Sequence, residues 1–442
     1  MVDLNAAYEA ELYLKYLQNP DSVSKEWQEY FKTKYSKKVF FDPKVEQVIE
    51  ETNGYREIAP LSLKEVQSSS EDELLPISSV QERLAENMEM SLSVPTATSV
   101  RTIPVKVLDE NRRIINKYLG KLKRGKVSFT HIITWAIIRA LKKFPGLNDA
   151  FIRQDGKTYR LRRKSINLGF AVDIVRKDGS RGLLVPNIKG VENLKFDEFV
   201  RRYDDLIART RIGKIQVEEL QNTTISITNP GMIGTTMSNP RLMRGQSLII
   251  AIGSIDYPTE FKAVKPEVLT TLAISKVVTI TNTYDHRIIQ GAESAEFLSY
   301  IQELLLGEEH FYDSIFATLK IPFEPIRWEI DTTPITQFGK IDENEIIEKS
   351  AHVELMINAY RVRGHLLASS NPLGYATYYY PELDPAYYGF TIWDLDRVFH
   401  AEDLWEKNNL PLRDIIERLR DTYCGNIGFE FMHIQDPEKK DW

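Results

Sequence analysis

The chain has 442 residues, which leaves room for about three domains of roughly 150 residues each. Apolar residues make up 42% of it and charged residues 27%, so we expect a packed core and exclude wholesale disorder. The formal net charge of −6 argues against a nucleic-acid-binding chain, and the single cysteine, Cys424, excludes an internal disulfide and a cysteine-based zinc site. No apolar run approaches roughly 18 residues and the N-terminus has no secretory pattern, so we expect a cytoplasmic protein without a membrane span.

Residues 1–41 are predicted to form a helical arm. Apolar residues recur at helical spacing up to a turn at Asn19–Ser22, and Trp27–Phe31 lie on a second helix. Two interpretations of this arm are equally supported: a helix pair docked on the main body, and a docking arm for a partner protein. The residues that follow are small, polar and acidic, so 42–75 is predicted to be a linker.

Residues 76–319 are predicted to form the main domain. Helix-type and strand-type periodicity follow each other without strict β-α-β alternation, which indicates an α+β sandwich. The predicted helices are Ile77–Met90, His131–Lys143, Phe196–Arg211 and Ala292–Leu305, and the predicted strands are Thr98–Leu108, Ile166–Asp173, Gly182–Ile188, Thr223–Thr228, Ser247–Ile252 and Val277–Thr283.

Two further segments complete the chain. Residues 320–341 are rich in Pro, Thr and Asp and are predicted to be a second linker. The block 342–442 is predicted to be mostly helical, with amphipathic helices over Glu343–Leu366 and Leu412–Tyr423. An aromatic, proline-rich stretch between these two helices is not expected to form one regular element.

The strongest local signal for chemistry is His286, which follows an apolar strand and precedes a helix. Its neighbours Asp285 and Arg287 can hold the ring in one orientation. Histidine suits general base catalysis because its ordinary pKa lies near neutrality. Taken alone, the residue is explained more simply as a structural histidine hydrogen-bonded at a turn.

A second candidate is the end of the strand Thr223–Thr228. Hydroxyl and apolar residues alternate there, and the strand then breaks into a Pro-Gly turn. Exposed hydroxyls at this break can donate to a developing oxyanion. The simpler interpretation is that Thr and Ser serve β-propensity, which is the commoner case.

Several short motifs together resemble the catalytic domain of the dihydrolipoamide acyltransferases. Pro76–Val80 resembles the start of that family's first helix, and Pro95–Thr98 resembles the approach to its first strand. Gly182–Pro186 resembles its Gly-Leu-x-x-Pro strand, and Thr228–Asn229 matches the hydroxyl position at a strand end. The resemblance covers about residues 76–315, and it implies the α+β sandwich that the family shares with chloramphenicol acetyltransferase.

The family's site residues carry over by position. The resemblance implies that His286 deprotonates the thiol of coenzyme A or dihydrolipoamide and that Thr228 stabilises the oxyanion. It also implies a trimer in which these two residues come from different chains, with Asp285 and Arg287 as supporting neighbours. The family has Asp four residues after the histidine, whereas Gln290 stands here and carries no charge. No lipoyl-type module precedes the domain, so the lipoyl group is expected on a partner.

The flanking segments resemble a different component, the thiamine-dependent 2-oxoglutarate dehydrogenase. Asn5–Tyr8 and Trp27–Phe31 resemble its N-terminal segment, and Ala359–Leu366 and Thr422–Ile434 resemble the helical region that follows. A transferase domain between these segments is similar to the multifunctional 2-oxoglutarate dehydrogenases of the actinobacterial type. The expected partners are therefore a lipoyl-bearing acyltransferase and dihydrolipoamide dehydrogenase.

Part of that architecture is not found in this sequence. We find no Gly-Asp-Gly followed by an Asn pair, the element that holds magnesium and thiamine diphosphate, so these 442 residues are expected to bind neither. The chain resembles an N-terminal fragment, truncated before that region, and no metal site is predicted. The resemblance places His365 on the 2-oxo acid side of the complete decarboxylase.

Two functional hypotheses follow from the resemblance. In the first, the domain is a working succinyltransferase, which the presence of His286 and Thr228 favours. In the second, it is a catalytically degenerate trimeric scaffold that organises the decarboxylase, which Gln290 and the missing lipoyl module favour.

Overall fold

The structure, a computed structural model, describes residues 12–13, 15–16, 19–35, 77, 79–175, 181–332, 343–368, 379–401 and 409–442. Its strands, in chain order, are β1 (Thr96–Pro104), β2 (Ala150–Gln154), β3 (Lys157–Leu161), β4 (Leu168–Phe170), β5 (Val172–Val175), β6 (Arg181–Leu184), β7 (Asn187–Ile188), β8 (Ile225–Thr228), β9 (Leu248–Ile252), β10 (Val277–Asp285), β11 (Val398–His400) and β12 (Asn409–Pro411). Six of them form one mixed sheet in the order β1-β10-β9-β8-β4-β7. The pairs β2–β3, β5–β6 and β11–β12 form separate antiparallel ribbons.

The helices are α1 (Lys25–Tyr35), α2 (Ser79–Ser91), α3 (Lys106–Lys121), α4 (Phe129–Lys143), α5 (Phe196–Arg211), α6 (Pro266–Thr271), α7 (Gly291–Leu305), α8 (Phe311–Leu319), α9 (Glu343–Arg363), α10 (Leu412–Tyr423) and α11 (Pro437–Asp441). Most side chains of α4 are buried, α4 packs against α7, and α7 lies against β1. Ser128 is the N-cap of α4; its hydroxyl accepts from the His131 backbone, and the His131 ring accepts from the Ser128 backbone. This capping box supplies acceptors for two backbone N–H groups that have no hydrogen-bond partner within the helix.

The register of the central strands determines where the candidate site residues lie. Strands β8 and β9 are parallel and place Thr228 opposite Ala251. Strands β9 and β10 are antiparallel and place Ala251 opposite Thr281. The residue that follows β10 is His286, five positions beyond Thr281, so it lies at the other end of the sheet from Thr228.

The predicted strand Thr98–Leu108 is wrong at its C-terminal end. Strand β1 ends at Pro104, and α3, a helix that the sequence reasoning did not predict, begins at Lys106. The alternation of Val105-Lys106-Val107 is typical of a strand over a few residues. Over a longer window, Val107, Asn111, Ile115 and Leu119 recur with a period near four and are all buried, which is the pattern of a helix.

Two predicted strands are each divided in the structure. The segment Ile166–Asp173 gives β4 in the central sheet and β5 in a ribbon, and Gly182–Ile188 gives β6 and β7. The second division falls around Val185 and Pro186, and a proline cannot donate to a sheet ladder. The β2–β3 ribbon was not predicted, although Asp155-Gly156 between two alternating runs is a hairpin signal.

A row of ion pairs joins the C-terminal block to the main domain. Helix α3 presents Glu110 and Lys117 on one face, and α10 presents Arg413 and Glu417. Arg413 donates two hydrogen bonds to the carboxylate of Glu110, at 3.0 and 2.5 Å, and Lys117 Nζ lies 2.8 Å from Glu417 Oε2. We call this row the α3–α10 seam; its other members are Lys106, Lys121, Asp396 and Asp421.

Helix α9 ends before the predicted boundary at Leu366. It runs to Arg363, and a 3₁₀ turn over Gly364–Leu367 follows. A Cβ on Gly364 would lie 2.5 Å from the Cβ of Tyr423, so only glycine permits this approach of α9 to α10.

The described part of the N-terminal arm docks on the main domain. Trp27 and Phe31 are buried, and the Trp27 indole nitrogen donates to the Ile215 carbonyl at 3.4 Å. This supports the docked interpretation of the arm. The predicted linker 42–75 and most of 1–18 lie outside the described residues, and the limits of the three domains remain predictions. None of the described helices is long and apolar enough to span a membrane.

Candidate active site

His286 directly follows β10 and is exposed in the single chain. Its backbone nitrogen donates to the Pro95 carbonyl at 2.9 Å, which ties the loop to the start of β1. Its ring Nδ1 lies 2.9 Å from the carbonyl oxygen of Ile289. A carbonyl only accepts, so this bond assigns the proton to Nδ1 and leaves the lone pair on Nε2. The ring is therefore held in the tautomer that a general base working through Nε2 requires.

Asp285 and Arg287 hold the loop rather than the histidine ring. The Asp285 carboxylate is buried and accepts from Arg287 Nε at 2.8 Å and from Nη2 at 2.6 Å. The guanidinium of Arg287 also lies over the ring of Phe151 in β2, 3.9 Å from its centroid. The two predicted supporting residues therefore pair with each other and brace the loop against the β2–β3 ribbon.

Gln290 lies at the junction between this loop and α7. It occupies the N-cap position, and its side chain does not cap the helix, although its carbonyl accepts from the Ser294 backbone at 3.1 Å. Its neighbour Ile289 supplies the carbonyl that binds the His286 ring. Gln290 therefore lies on the segment that orients the histidine.

Thr228 is the last residue of β8 and is half-buried. A 3₁₀ turn over Pro230–Ile233 follows, with Met232 and Ile233 mostly exposed. A Cβ on Gly231 would lie 2.2 Å from the carbonyl carbon of Gly253, so the turn is pressed against the segment after β9. This contact fixes the backbone just beyond Thr228.

One chain does not bring His286 and Thr228 together. They lie at opposite ends of the sheet, and five residues of strand span about 16 Å along it. A hydroxyl and an imidazole must both approach the same carbonyl group to assist one acyl transfer. A site that uses both residues therefore needs a second copy of the chain.

His365 lies in the C-terminal block, on the 3₁₀ turn after α9. Its Nδ1 atom is buried and has no hydrogen-bond partner among the residues that the structure describes. In the same block, burial raises the pKa of the Cys424 thiol to about 11, so it is a packed apolar group and not a nucleophile. No cluster of three or more His, Cys, Asp or Glu side chains within the described ranges is arranged to hold a metal ion.

The sequence reasoning missed the β2–β3 ribbon as part of the site's support. Phe151 on β2 contacts Arg287, and Arg160 on β3 lies 3.9 Å from Glu293 in the first turn of α7. The hairpin signal at Asp155-Gly156 predicts the ribbon itself. Its contacts with the His286 loop are tertiary and leave no local signal in the sequence.

Comparison with known proteins defines the class of protein. Residues 69–311, a little over half of the chain, match the sequence model of the 2-oxoacid dehydrogenases acyltransferase (catalytic domain) family. The chain therefore belongs to the 2-oxoacid dehydrogenase acyltransferase family, which confirms the predicted fold class and the predicted resemblance. Residues 3–34 match the family described as the 2-oxoglutarate dehydrogenase N-terminus.

Its curated relatives are named for 2-oxoglutarate metabolism. Over 362 residues the chain is 45% identical to a multifunctional 2-oxoglutarate metabolism enzyme of Mycobacterium sp. (strain JLS), covering 81% of this chain and 28% of the relative. Over 377 residues it is also 45% identical to the enzyme of the same description from Mycolicibacterium vanbaalenii, covering 85% and 29%. The chain spans less than a third of the length of these relatives.

The chain is also similar to solved structures, at lower identity. A probable dihydrolipoamide acetyltransferase from Listeria monocytogenes is 22% identical, with a TM-score of 0.45 over 54% of this chain and 95% of that one. The dihydrolipoamide acetyltransferase of Azotobacter vinelandii is 24% identical, with a TM-score of 0.45 over 53% and 91%.

Proposed function

We propose that this chain transfers a succinyl group between dihydrolipoamide and coenzyme A within a 2-oxoglutarate dehydrogenase system. The observation that carries the proposal is the hydrogen bond from His286 Nδ1 to the Ile289 carbonyl, which leaves Nε2 ready to accept a proton. Family membership supplies the acyl-transfer chemistry, and the relatives named for 2-oxoglutarate metabolism suggest the succinyl group.

The proposed reaction is acid–base catalysed thioester exchange. Nε2 of His286 takes the proton of the coenzyme A thiol, and the thiolate attacks the carbonyl carbon of succinyl-dihydrolipoamide. The Thr228 hydroxyl donates a hydrogen bond to the oxyanion that forms. When the tetrahedral intermediate collapses, the bond from carbon to the dihydrolipoamide sulfur breaks, and the departing thiolate takes the proton from His286. The products are succinyl-coenzyme A and free dihydrolipoamide.

The proposed site lies between two copies of the chain. His286 of one copy faces Thr228 of the next, because the sheet separates these residues within each copy. A cyclic trimer, or a larger assembly built from it, repeats such a heterologous contact and closes the ring.

The remaining components of the system are proposed from the relatives. A lipoyl-bearing acyltransferase presents the acyl group, dihydrolipoamide dehydrogenase reoxidises the lipoyl group, and the assembly lies in the cytoplasm. Thiamine diphosphate and magnesium serve the decarboxylation step, for which the described residues offer no diphosphate-binding element, so no step of the transfer passes through them. His365 would contact the 2-oxo acid there, which gives its unsatisfied Nδ1 atom a use.

Thioester exchange between succinyl-coenzyme A and dihydrolipoamide tests the proposal. We expect the full 442-residue chain to catalyse it, His286→Asn to lower kcat by about 10²–10⁴-fold and Thr228→Ala by about 10²–10³-fold. His310→Asn is the matched control, because His310 is an exposed histidine on the loop before α8 and Asn tolerates its positive φ of 50°. No exchange by a folded, oligomeric wild type would refute the proposal and favour the scaffold hypothesis.

A further inference from the structure

The β2–β3 ribbon and the residues beside it carry a local excess of positive charge. Residues 149–164 contain six Lys and Arg and two Asp, a net charge of +4 in a chain whose formal total is −6. All five residues of β3 are exposed. A concentration of one sign of charge attracts surfaces of the opposite sign beyond the range of a hydrogen bond. This stretch is therefore a candidate contact for an anionic partner.

Three cations of this stretch are available to a partner. Arg160 and Arg162 already bind the carboxylate of Asp149, at 2.5 and 2.6 Å, and that carboxylate has no exposed surface. The exposed cations that form no ion pair within the described ranges are Arg153, Lys157 and Lys164. The second carboxylate, Asp155, lies in the turn between β2 and β3 and forms no ion pair with a described cation. Three positive charges thus face solvent without an internal counter-charge.

The loop before β9 extends this surface. Arg163, just after the ribbon, donates from Nη2 to the Gly245 carbonyl at 2.5 Å, which fastens the end of the ribbon to that loop. Arg244, beside Gly245, is exposed and has no ion-pair partner among the residues that the structure describes. We define the basic surface as the exposed side chains of Arg153, Lys157, Lys164 and Arg244.

The basic surface lies beside the His286 loop. Phe151 of the ribbon contacts the guanidinium of the arginine that follows His286, 3.9 Å from the ring centroid. On the loop side, the backbone nitrogen of Asp285 donates to the carbonyl of Ser247, just before β9, at 3.0 Å. Both parts of the surface are therefore attached to the segment that carries the imidazole. A partner that docks here can bring a group of its own to His286.

The residues between these cations suit a protein partner. Tyr159 and Leu161 on β3 are 46% and 43% exposed. Protein interfaces combine aromatic and arginine side chains with a polar rim, whereas small ligands bind in concave pockets. A fully exposed strand presents a projecting surface rather than a cleft. The shape of the basic surface thus favours an acidic protein domain over a small anion.

We propose that the basic surface docks the acidic, lipoyl-bearing domain of a partner protein. Docking there brings the lipoyl arm of that domain to His286, on the chain that supplies the imidazole. Opposite charges speed the encounter and fix its orientation, and salt screens this contribution. The inference rests on the proposed transfer, for which it names the surface that receives the lipoyl group.

Kinetics with two acyl acceptors test the docking surface. The full chain transfers from succinyl-coenzyme A either to free dihydrolipoamide or to a recombinant, reduced lipoyl domain whose surface is rich in Asp and Glu. The docking variant combines Arg153→Gln, Lys157→Gln and Lys164→Gln. We expect it to raise KM for the lipoyl domain about tenfold with kcat unchanged, because electrostatic attraction acts on the encounter. Its KM for free dihydrolipoamide should equal that of the wild type.

A matched control removes the same charge elsewhere on the chain. Lys123, Arg124 and Lys126 are exposed cations on the loop after α3, and changing all three to Gln should leave KM for the lipoyl domain at the wild-type value. Raising the salt from about 0.01 M to about 0.15 M should lower kcat/KM for the domain in the wild type and the control, and far less in the docking variant. A rise in KM as large in the control as in the docking variant would overturn the proposal, because total charge and not this surface would then decide binding.

The phosphates of coenzyme A are the alternative anion for this surface. If the docking variant raises KM for succinyl-coenzyme A and leaves KM for the lipoyl domain unchanged, the surface binds those phosphates and the docking proposal is wrong.

Binding measured without turnover keeps the inference separate from the proposed function. Titration of the same lipoyl domain into the full chain should show salt-sensitive binding to the wild type and the control, and binding at least about fivefold weaker to the docking variant. If the wild type binds the domain in this way but catalyses no transfer, the proposed function fails and the docking surface stands. Equal binding by all three proteins, or no binding by the wild type, would overturn the docking surface.

Discussion

Arg413→Ala should destabilise the α3–α10 seam far more than Lys117→Ala, although both side chains belong to the same row of ion pairs. Arg413 makes its two hydrogen bonds to Glu110, whose side chain is only 4% exposed, and a further contact of 2.6 Å to Asp396. Lys117 pairs with Glu417 and Asp421, which are 36% and 43% exposed.

The burial of the partner sets the size of each effect. Removing one partner of a buried pair typically costs about 3–5 kcal/mol, because the other charge stays buried and uncompensated. Lys106 Nζ remains 3.2 Å from Glu110 in Arg413→Ala, so we take the lower end, about 3 kcal/mol. Water screens the exposed partners of Lys117, so Lys117→Ala should lower the stability of the seam by less than about 1 kcal/mol.

Hydrogen–deuterium exchange of the peptide Leu412–Tyr423 measures the difference, because its amides exchange when α10 opens. A loss of about 3 kcal/mol speeds exchange roughly a hundredfold, whereas Lys117→Ala should speed it less than about fivefold. Adding Glu110→Gln to Arg413→Ala should slow exchange again, because no carboxylate is left stranded. Equal effects of the two single variants, or no recovery in the double variant, would refute this reasoning.

Other variants test buried contacts of the main domain. Burial lowers the pKa of His131, although Asp204 opposes the shift. The unfolded chain therefore binds this proton more readily, so the free energy of unfolding is highest above the ordinary pKa of 6.5 and falls as the pH drops below it. Urea titrations of His131→Gln should show a flatter dependence from pH 7 to 5, and an equally steep one would contradict this. Trp27→Ala should lower the free energy that holds the arm on the main domain by about 3 kcal/mol and speed amide exchange in Lys25–Tyr35. Unchanged exchange would show that the arm is not docked. Gly253→Ala places a Cβ 2.0 Å from the Thr236 carbonyl oxygen, so thioester exchange should fall in a folded chain, and undiminished exchange would count against a fixed turn after Thr228.

Two helices with a consistent apolar stripe were predicted to the residue. Helices α5 and α10 have the predicted limits, Phe196–Arg211 and Leu412–Tyr423, because each carries a continuous apolar stripe with polar residues opposite. The predicted strand Ser247–Ile252 contains β9, whose five residues are all buried. In such segments local pattern and tertiary burial demand the same structure.

The errors fall where a short window gives conflicting signals. The alternation of Val105-Lys106-Val107 fits a strand, and only the sixteen-residue window of Lys106–Lys121 shows the helix. Pro186 is a local signal that the strand Gly182–Ile188 is interrupted, but the change of sheet at that point has no local signal. The first error came from too short a window, whereas long-range pairing decided the second case.

The sequence likewise predicts some features of the candidate site and misses others. The sequence predicts that His286 follows a strand and that Thr228 ends one, and the structure places both so. It does not predict that the Ile289 carbonyl selects the ring tautomer or that Arg160 reaches the first turn of α7. The first of these contacts joins residues only three apart and depends on the exact conformation of the loop. The second joins residues more than a hundred positions apart, and only the folded chain brings them together. The two-chain site was expected from the resemblance, and the strand register now supplies a physical reason for it.

Complementation between two inactive variants tests the two-chain site most directly. Chains with His286→Ala and chains with Thr228→Ala are expressed separately and together, and succinyl-coenzyme A exchange with dihydrolipoamide is measured. We predict that each variant alone is inactive and that random mixed assembly restores about a quarter of wild-type activity, because one site in four joins an intact His286 to an intact Thr228 of its neighbour. Mixed assemblies that form and remain as inactive as the separate variants would contradict a site shared between two chains.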